Sequence, residues 1–340
     1  MVLREAMTAI VVAVPFGLGV TAAVDTDAEQ VFRFEDPAIV ESSGLVVLPD
    51  GRFVTVNDSG DEPRVFTVDP ESGRTVGVTR WEGPAEDVEA VAPTQAGHVL
   101  VGDIGDNRKA RSSISVVSVP VGEGDREVRG DRLTLTYPDE PADAEALLTD
   151  PRQGRLVVVT KDVLGGTVYV VPPHARPGGR AELQPVGPAP PLVTDGAFFP
   201  DGRHLVLRNY GRAVIYSWPE LETVGGFDLP SQQQGEGIAV DQDNRVYVSS
   251  EGVRAPVLEV ALPKQLARAV AGQADPTPQA EELDPTDDPT AQSREGEELP
   301  QSEDVVRRDP VPWLIGSGLM VVMVLVLIRS LRPTEKDPPR

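Results

Sequence analysis

The chain has 340 residues, 40% of them hydrophobic, enough to bury a sizeable core in one large or two ordinary domains. Its 54 acidic residues against 31 basic ones leave a formal charge of −23, which repels a phosphate backbone and argues against nucleic acid as a partner. Cysteine is absent, and with it disulfides, thiolate nucleophiles and zinc–thiolate sites.

The N-terminal residues Met1 to Met7 carry Arg4, after which Thr8 to Ala23 is apolar and small and ends on Val20-Thr21-Ala22-Ala23 before Asp25-Thr26-Asp27. This is the layout of a secretory signal peptide over 1–23, cleaved after Ala22 or Ala23, with an uncleaved anchor as the alternative.

Over 25–262 one pattern recurs. An acidic or hydroxyl residue, a small residue and an apolar run appear as Ser43-Gly44-Leu45, Glu89-Ala90-Val91, Glu145-Ala146-Leu147, Asp195-Gly196-Ala197 and Glu236-Gly237-Ile238, with steps of 46, 56, 50 and 41 between the small residues. Each opening leads into a tight turn, such as Pro49-Asp50-Gly51-Arg52, Gln95-Ala96-Gly97-His98 or Pro200-Asp201-Gly202-Arg203, and then a β-rich run such as Leu156 to Val159. Gly, Asn and Asp supply the positive φ of short hairpins. A third strand ends at a proline in every unit, for example Val65 to Pro70 and Val168 to Pro172, and an irregular fourth follows, as in Arg74 to Trp81 and Arg132 to Tyr137. Four antiparallel strands repeated at this spacing predict an all-β, five-bladed β-propeller rather than a two-sheet sandwich. The last unit lacks a fourth strand, while Gln30 to Glu35 is a spare one, so the N-terminal strand is expected to close the ring.

Lys264 to Val270 reads as a short helix, and 263–309 as an acidic, proline-rich stalk, kept extended by like charges and, from Gln273 to Asp309, by a near absence of aromatic and β-branched residues. Trp313 to Ile328 carries no charge, and with Val311 and Pro312 it gives about eighteen residues, roughly 27 Å of helix, as a transmembrane span over 311–328. Arg329, Arg332, Lys336 and Arg340 favour a cytoplasmic tail over 329–340, so the propeller is expected outside the cytoplasm, held at the cell membrane by one span. Leu299-Pro300-Gln301-Ser302-Glu303 departs at two specified positions from the sortase motif, which favours simple anchoring over wall attachment.

Gly237-Ile238-Ala239-Val240-Asp241 with Asn244-Arg245-Val246-Tyr247-Val248 resembles NHL-type or gluconolactonase-type propeller repeats. Asn57-Asp58-Ser59-Gly60 and Gly102-Asp103-Ile104-Gly105-Asp106-Asn107 resemble segments of exported bacterial propellers of the WD-repeat-like, phytase-esterase-like kind. The resemblance covers about Val31 to Leu262. Two departures stand out: no Trp-Asp pair ends a strand, and NHL propellers usually have six blades.

In a propeller, the loops entering the first strand and those joining the second to the third share one face around the channel. Glu89, Glu145, Asp195 and Glu236 would ring the channel mouth, with Asp58, Asp103, Asp106, Lys161, Arg208 and Glu251 nearby as ligand-binding candidates. The first four are candidate metal ligands, since such an oxygen set suits Ca²⁺; the competing role is hydrogen bonding to amides of adjacent blades. No Gly-x-Ser-x-Gly, His-Glu-x-x-His or phosphate-binding glycine loop occurs. His98 and His204 fall on the opposite face and His174 in a proline-rich loop, none with an evident partner. Arg108, Lys109 and Arg111 are expected to pair with surrounding acids. The leading expectation is a module that binds a protein or small-molecule ligand on its carboxylate face, and the alternative is a Ca²⁺-dependent lactonase, esterase or phosphoesterase.

Overall fold

Leu156 to Thr160 is apolar at nearly every step, where a half-buried strand would alternate. The reason lies in its neighbours on both sides. Val157 and Val159 enter one apolar cluster, with Leu205, Leu207 and Trp218, while Val158 enters another, with Val116, Leu133 and Leu135. A period of two thus serves two cores at once.

The computed structural model describes residues 28–272 apart from 59, 95 and 96. The expected signal peptide, the stalk from Gln273, the Trp313–Ile328 span and the basic tail lie outside the described residues, among which no helix is long and apolar enough to cross a membrane.

Five sheets make a five-bladed propeller. Blade 1 holds β2 (Ser42–Val47), β3 (Phe53–Asn57), β4 (Arg64–Val68) and β5 (Thr75–Trp81). Blade 2 holds β6 (Val88–Pro93), β7 (His98–Asp103), β8 (Ile114–Pro120) and β10 (Asp131–Thr136), with β9 (Arg126–Val128) in the connection before the last. Blade 3 holds β11 (Ala144–Thr149), β12 (Leu156–Thr160), β13 (Thr167–Val170) and β15 (Gln184–Pro188), preceded by β14 (Arg180–Glu182). Blade 4 holds β16 (Asp195–Phe198), β17 (His204–Arg208), β18 (Arg212–Ser217) and β19 (Thr223–Asp228). Blade 5 holds β20 (Gly235–Val240), β21 (Val246–Ser250) and β22 (Pro256–Val260), and β1 (Ala28–Arg33) supplies its outer strand.

β1 runs antiparallel to β22, with Ala28 opposite Val260. Phe32 and Phe34 from this N-terminal segment are buried beside Phe53 of blade 1 and Tyr247 of blade 5, with Phe32 and Phe53 ring centroids 5.0 Å apart in an edge-on contact. The closing strand therefore joins blades 5 and 1 and leaves no open edge at the seam. It begins and ends two residues earlier than the expected Gln30 to Glu35.

One expectation needs correcting: not every blade has four strands. β9 pairs in parallel with β5, and β14 with β10, so blades 1 and 2 each gain a fifth strand from the chain of the following blade. These two pieces lie in the units with the longest steps, 56 and 50 residues, where the extra length was visible without its purpose. The helix α1 (Lys264–Val270) forms as expected and buries Leu266 and Val270 against blades 4 and 5.

Small residues head the inner strands because the strands meet there. A Cβ on Gly44, whose φ is +70°, would sit 2.7 Å from the backbone nitrogen of Val91 in the next blade. One on Gly237 would sit 2.3 Å from Ser249 Oγ and 2.9 Å from Leu45 Cβ.

Candidate functional site

At the heads of the inner strands the backbone register decides what each acid does. In β6 and β7, Val88 pairs with Asp103 and Ala90 with Gly102, leaving Glu89 as the extra residue of a bulge. Glu145 is extra in the same way between Ala144 and Ala146, and the shift between Gly235 and Ile238 releases Glu236. Bulges re-aim side chains, and here they turn three glutamates toward the channel mouth. In blade 4 the ladder runs without a shift, Asp195 opposite Arg208 and Gly196 opposite Leu207.

The outcome for Asp195 is different. Fully buried, it accepts hydrogen bonds from the amide of Gly196 at 2.7 Å and of Ile238 in the next blade at 2.8 Å. Asp195 is thus a rivet between blades 4 and 5.

The glutamates are also buried but make few such bonds. Glu145 Oε1 accepts from Lys161 Nζ at 3.0 Å. Glu236 Oε1 accepts from Gln234 Nε2 at 3.2 Å, while its Oε2 is buried with no hydrogen-bond partner among the described residues. Glu89 lies beside Asp58 and Asp87, and one carboxylate oxygen from each of the three falls within 4.8 Å of the others. Gly105 makes room for this group, since a Cβ there would stand 2.5 Å from Asp87 Oδ2.

Burial pushes the Glu89 carboxyl far above the usual range, aided by the charges of Glu145, Asp58 and Asp87. Burial also raises Glu145, to about 8, with Lys161 opposing and Asp143 and Glu236 adding to the rise. Glu236 moves up for the same reason, again against Lys161. Glu251, half-buried and held by Gln234, is raised to about 7 by burial and by Glu236 and Asp58. Lys161 keeps its charge: burial works against it, but Glu145, Tyr210 and Glu236 more than compensate. Its ammonium also lies 5.4 Å from the Tyr210 ring centroid. The mouth thus gathers six acids, Asp58, Asp87, Glu89, Glu145, Glu236 and Glu251, with the Lys161 ammonium among them.

The remaining candidates do other work. Arg208 is fully buried and donates to the carbonyls of Asn209, Gly237 and Ser249 and to Gln232 Oε1, so it ties blade 4 to blade 5. Burial draws it down to about 10, against the charges of Glu236 and Asp195. Asp103 is taken by Arg111 at 2.8 Å and by the amides of Glu86 and Asp87, and so fixes the loop that carries Asp87. Asp106 accepts from the Arg111 amide and donates its own amide to Asp143. Lys109 pairs with Asp162 at 2.6 Å, Arg111 with Asp103 and Glu86, and Arg108 is exposed. His204, expected without a partner, shares a 2.7 Å hydrogen bond with Asp201.

Sequence reasoning missed Asp87, Gln234 and Tyr210. Asp87 stands two residues before Glu89, and Gln234 two before Glu236, positions where the loop turns into the strand and its side chains share the mouth.

No protein-family model and no curated protein matches the sequence. Among solved structures, the chain is similar to a gluconolactonase from Xanthomonas campestris at 11% identity, over 72% of this chain and 93% of that one, with a TM-score of 0.43. It is similar to a streptogramin B lyase at 11% identity, over 69% and 97%, with a TM-score of 0.38. At these values neither likeness speaks to what the carboxylate mouth does.

Proposed function

We propose that this chain is a binding module that captures a cationic ligand or partner in its carboxylate mouth, outside the cytoplasm and tethered by the 311–328 segment. The site reading rests on one observation: Glu89, Glu145 and Glu236 leave the inner ladders through bulges, and Glu236 Oε2 is buried with no hydrogen-bond partner among the described residues. An unpartnered buried acceptor is costly, and a bound cation repays that cost. Tethering is supported by sequence alone, from the signal-peptide layout and the uncharged Trp313 to Ile328.

Thermal unfolding of the full chain in detergent tests the site with CaCl₂ and n-butylammonium chloride as probes. A ligand that binds only the folded state at a hundredfold excess over its dissociation constant adds about 2.7 kcal/mol. At least one probe raises the melting temperature, and Glu145→Gln with Glu236→Gln removes the rise. Indifference to both probes and to chelator sinks the reading.

A second reading is a Ca²⁺-dependent hydrolase of lactone, ester or phosphoester substrates. It is favoured by Asp58, Asp87 and Glu89, whose three hard oxygens fit part of the six to eight that Ca²⁺ takes. There the ion would polarise the bond to be cleaved. The proton that burial keeps on Glu89 would leave as the ion arrives. Lys161, charged and positioned by Glu145 and Tyr210, would then neutralise developing negative charge at the mouth. Turnover of a δ-lactone, p-nitrophenyl acetate or p-nitrophenyl phosphate that stops in chelator supports it; Ca²⁺ binding without turnover of any of them refutes it.

A further inference from the structure

We infer that the cationic occupant of the mouth is a lysine or arginine side chain of a partner protein, presented between apolar residues. This rests on the cation-binding reading above and adds the identity of what binds.

The large hydrophobic side chains exposed among the described residues are Val31, Val40, Val163, Leu164, Val186, Tyr210 and Val253. Isolated ones need no explanation, but these are not scattered. Val163 and Leu164 follow Lys161, Tyr210 follows the β17 end at Arg208, and Val253 follows Glu251. Val40 joins them because its carbonyl accepts from the amide of Gly252 at 2.8 Å. Only Val31 and Val186 lie on outer strands. The loops after the second strands of consecutive blades 3, 4 and 5 thus each carry apolar tips next in the chain to a residue of the mouth, with Leu164 92% exposed, Val163 70% and Val253 62%, and Tyr210 reaches across to the Lys161 ammonium.

These tips are held out by bonded loops. Asp162 anchors the first: it accepts from Lys109, from the Leu164 amide at 3.3 Å, and through its carbonyl from the amide of Leu192 at 2.9 Å. The second is pinned by the Gly252 bond to Val40 and by Ala255 donating to Gly252 at 3.2 Å. Loop backbone held in this way loses little further freedom on binding.

Charge selects the occupant. Six acids, Asp58, Asp87, Glu89, Glu145, Glu236 and Glu251, outnumber the cations Lys161 and buried Arg208, and Glu236 Oε2 has no hydrogen-bond partner among the described residues. A bare metal ion or small amine would use the acids and ignore the apolar tips. An anionic bilayer would meet the tips and be repelled by the chain's −23 charge. An ammonium or guanidinium flanked by apolar side chains uses both, with Tyr210 as the kind of amphipathic anchor that concentrates binding energy at interfaces.

The test uses the full chain in nanodiscs of zwitterionic lipid and three capped, dye-labelled short peptides, read by fluorescence anisotropy against empty discs. One carries lysine between two leucines, the second glutamine between the same leucines, the third lysine between serines. The first is expected to bind at least ~10-fold more tightly than either other, and Leu164→Ser with Val253→Ser to weaken it by ~10-fold while leaving the CaCl₂ and n-butylammonium responses unchanged. Peptides that bind alike, or not at all, while either small cation still acts through Glu236 overturn the partner inference and leave the cation-binding mouth standing. Failure of all probes overturns both.

Discussion

Asp195 and Glu236 head neighbouring inner strands, yet they should answer oppositely when the carboxyl is replaced by an amide. Both Asp195 oxygens accept amides, one of them across the blade interface. Asparagine retains one acceptor and turns an amide nitrogen toward the other N–H, stranding a buried donor at a cost of about 1–3 kcal/mol, and alanine strands both for about 2–6 kcal/mol. A domain of this size loses about 2–4 °C per kcal/mol, so Asp195→Asn should melt about 2–12 °C below the parent. Glu236→Gln keeps an acceptor for Gln234 and strands no backbone amide, because the other oxygen has no partner among the described residues, so its melting temperature should hold or rise. Circular dichroism melts of the two variants at neutral pH decide the matter. If Glu236→Gln falls as far as Asp195→Asn, the bulged glutamates are structural and the reasoning that separates them from Asp195 is wrong.

The acids raised by burial set a direction for pH. Glu145 at about 8 and Glu251 at about 7 hold protons in the folded state that the unfolded chain has already released above its ordinary carboxylate range. Their contribution is complete in acid and disappears as pH rises through those values, so the melting temperature should decline from about pH 5 to about pH 9. Glu145→Gln with Glu251→Gln should lessen that decline, leaving the part that Glu89 and Glu236 contribute with the same sign, and a slope unchanged in the double variant would show that Glu145 and Glu251 do not set it. Deleting Ala28–Arg33 should expose the β22 edge and cause aggregation or a large fall in melting temperature; a ring that melts like the parent would contradict closure. Protease added to intact spheroplasts should free a propeller-sized soluble fragment by cutting between Gln273 and Asp309, and full protection of that stretch would reverse the expected orientation.

Most of the ring was legible because its signals are local. The turn glycines, the prolines ending third strands and the doubly buried runs such as Leu156 to Val159 each reflect physics within a few residues. The spare strand was legible because one unit lacked what the N-terminus carried. The parallel strands β9 and β14 were not, since each is only three residues long and pairs with the blade before its own. The site was half legible. Residue types placed four acids at the heads of inner strands, but whether an acid faces the channel or a neighbour's amide depends on a one-residue shift in cross-strand register. Nothing in Glu145-Ala146 or Asp195-Gly196 encodes that shift alone.

The pairing of β1 with β22 also orders events in time. The strand that completes the last blade is the first of the propeller to be synthesised, and its partner starts only at Pro256. Throughout that interval Phe32 and Phe34 lack the Val257 and Tyr247 neighbours with which they are finally buried. A chain threaded N-terminus first would therefore stack blades 1 to 4 with both ends of the row still open, and only the arrival of the last blade would let the two ends meet. Such long-range pairing is slow and leaves an adhesive edge waiting. Once made, it sets Ala28 beside Val260, so the finished ring has no free terminal blade from which to unravel.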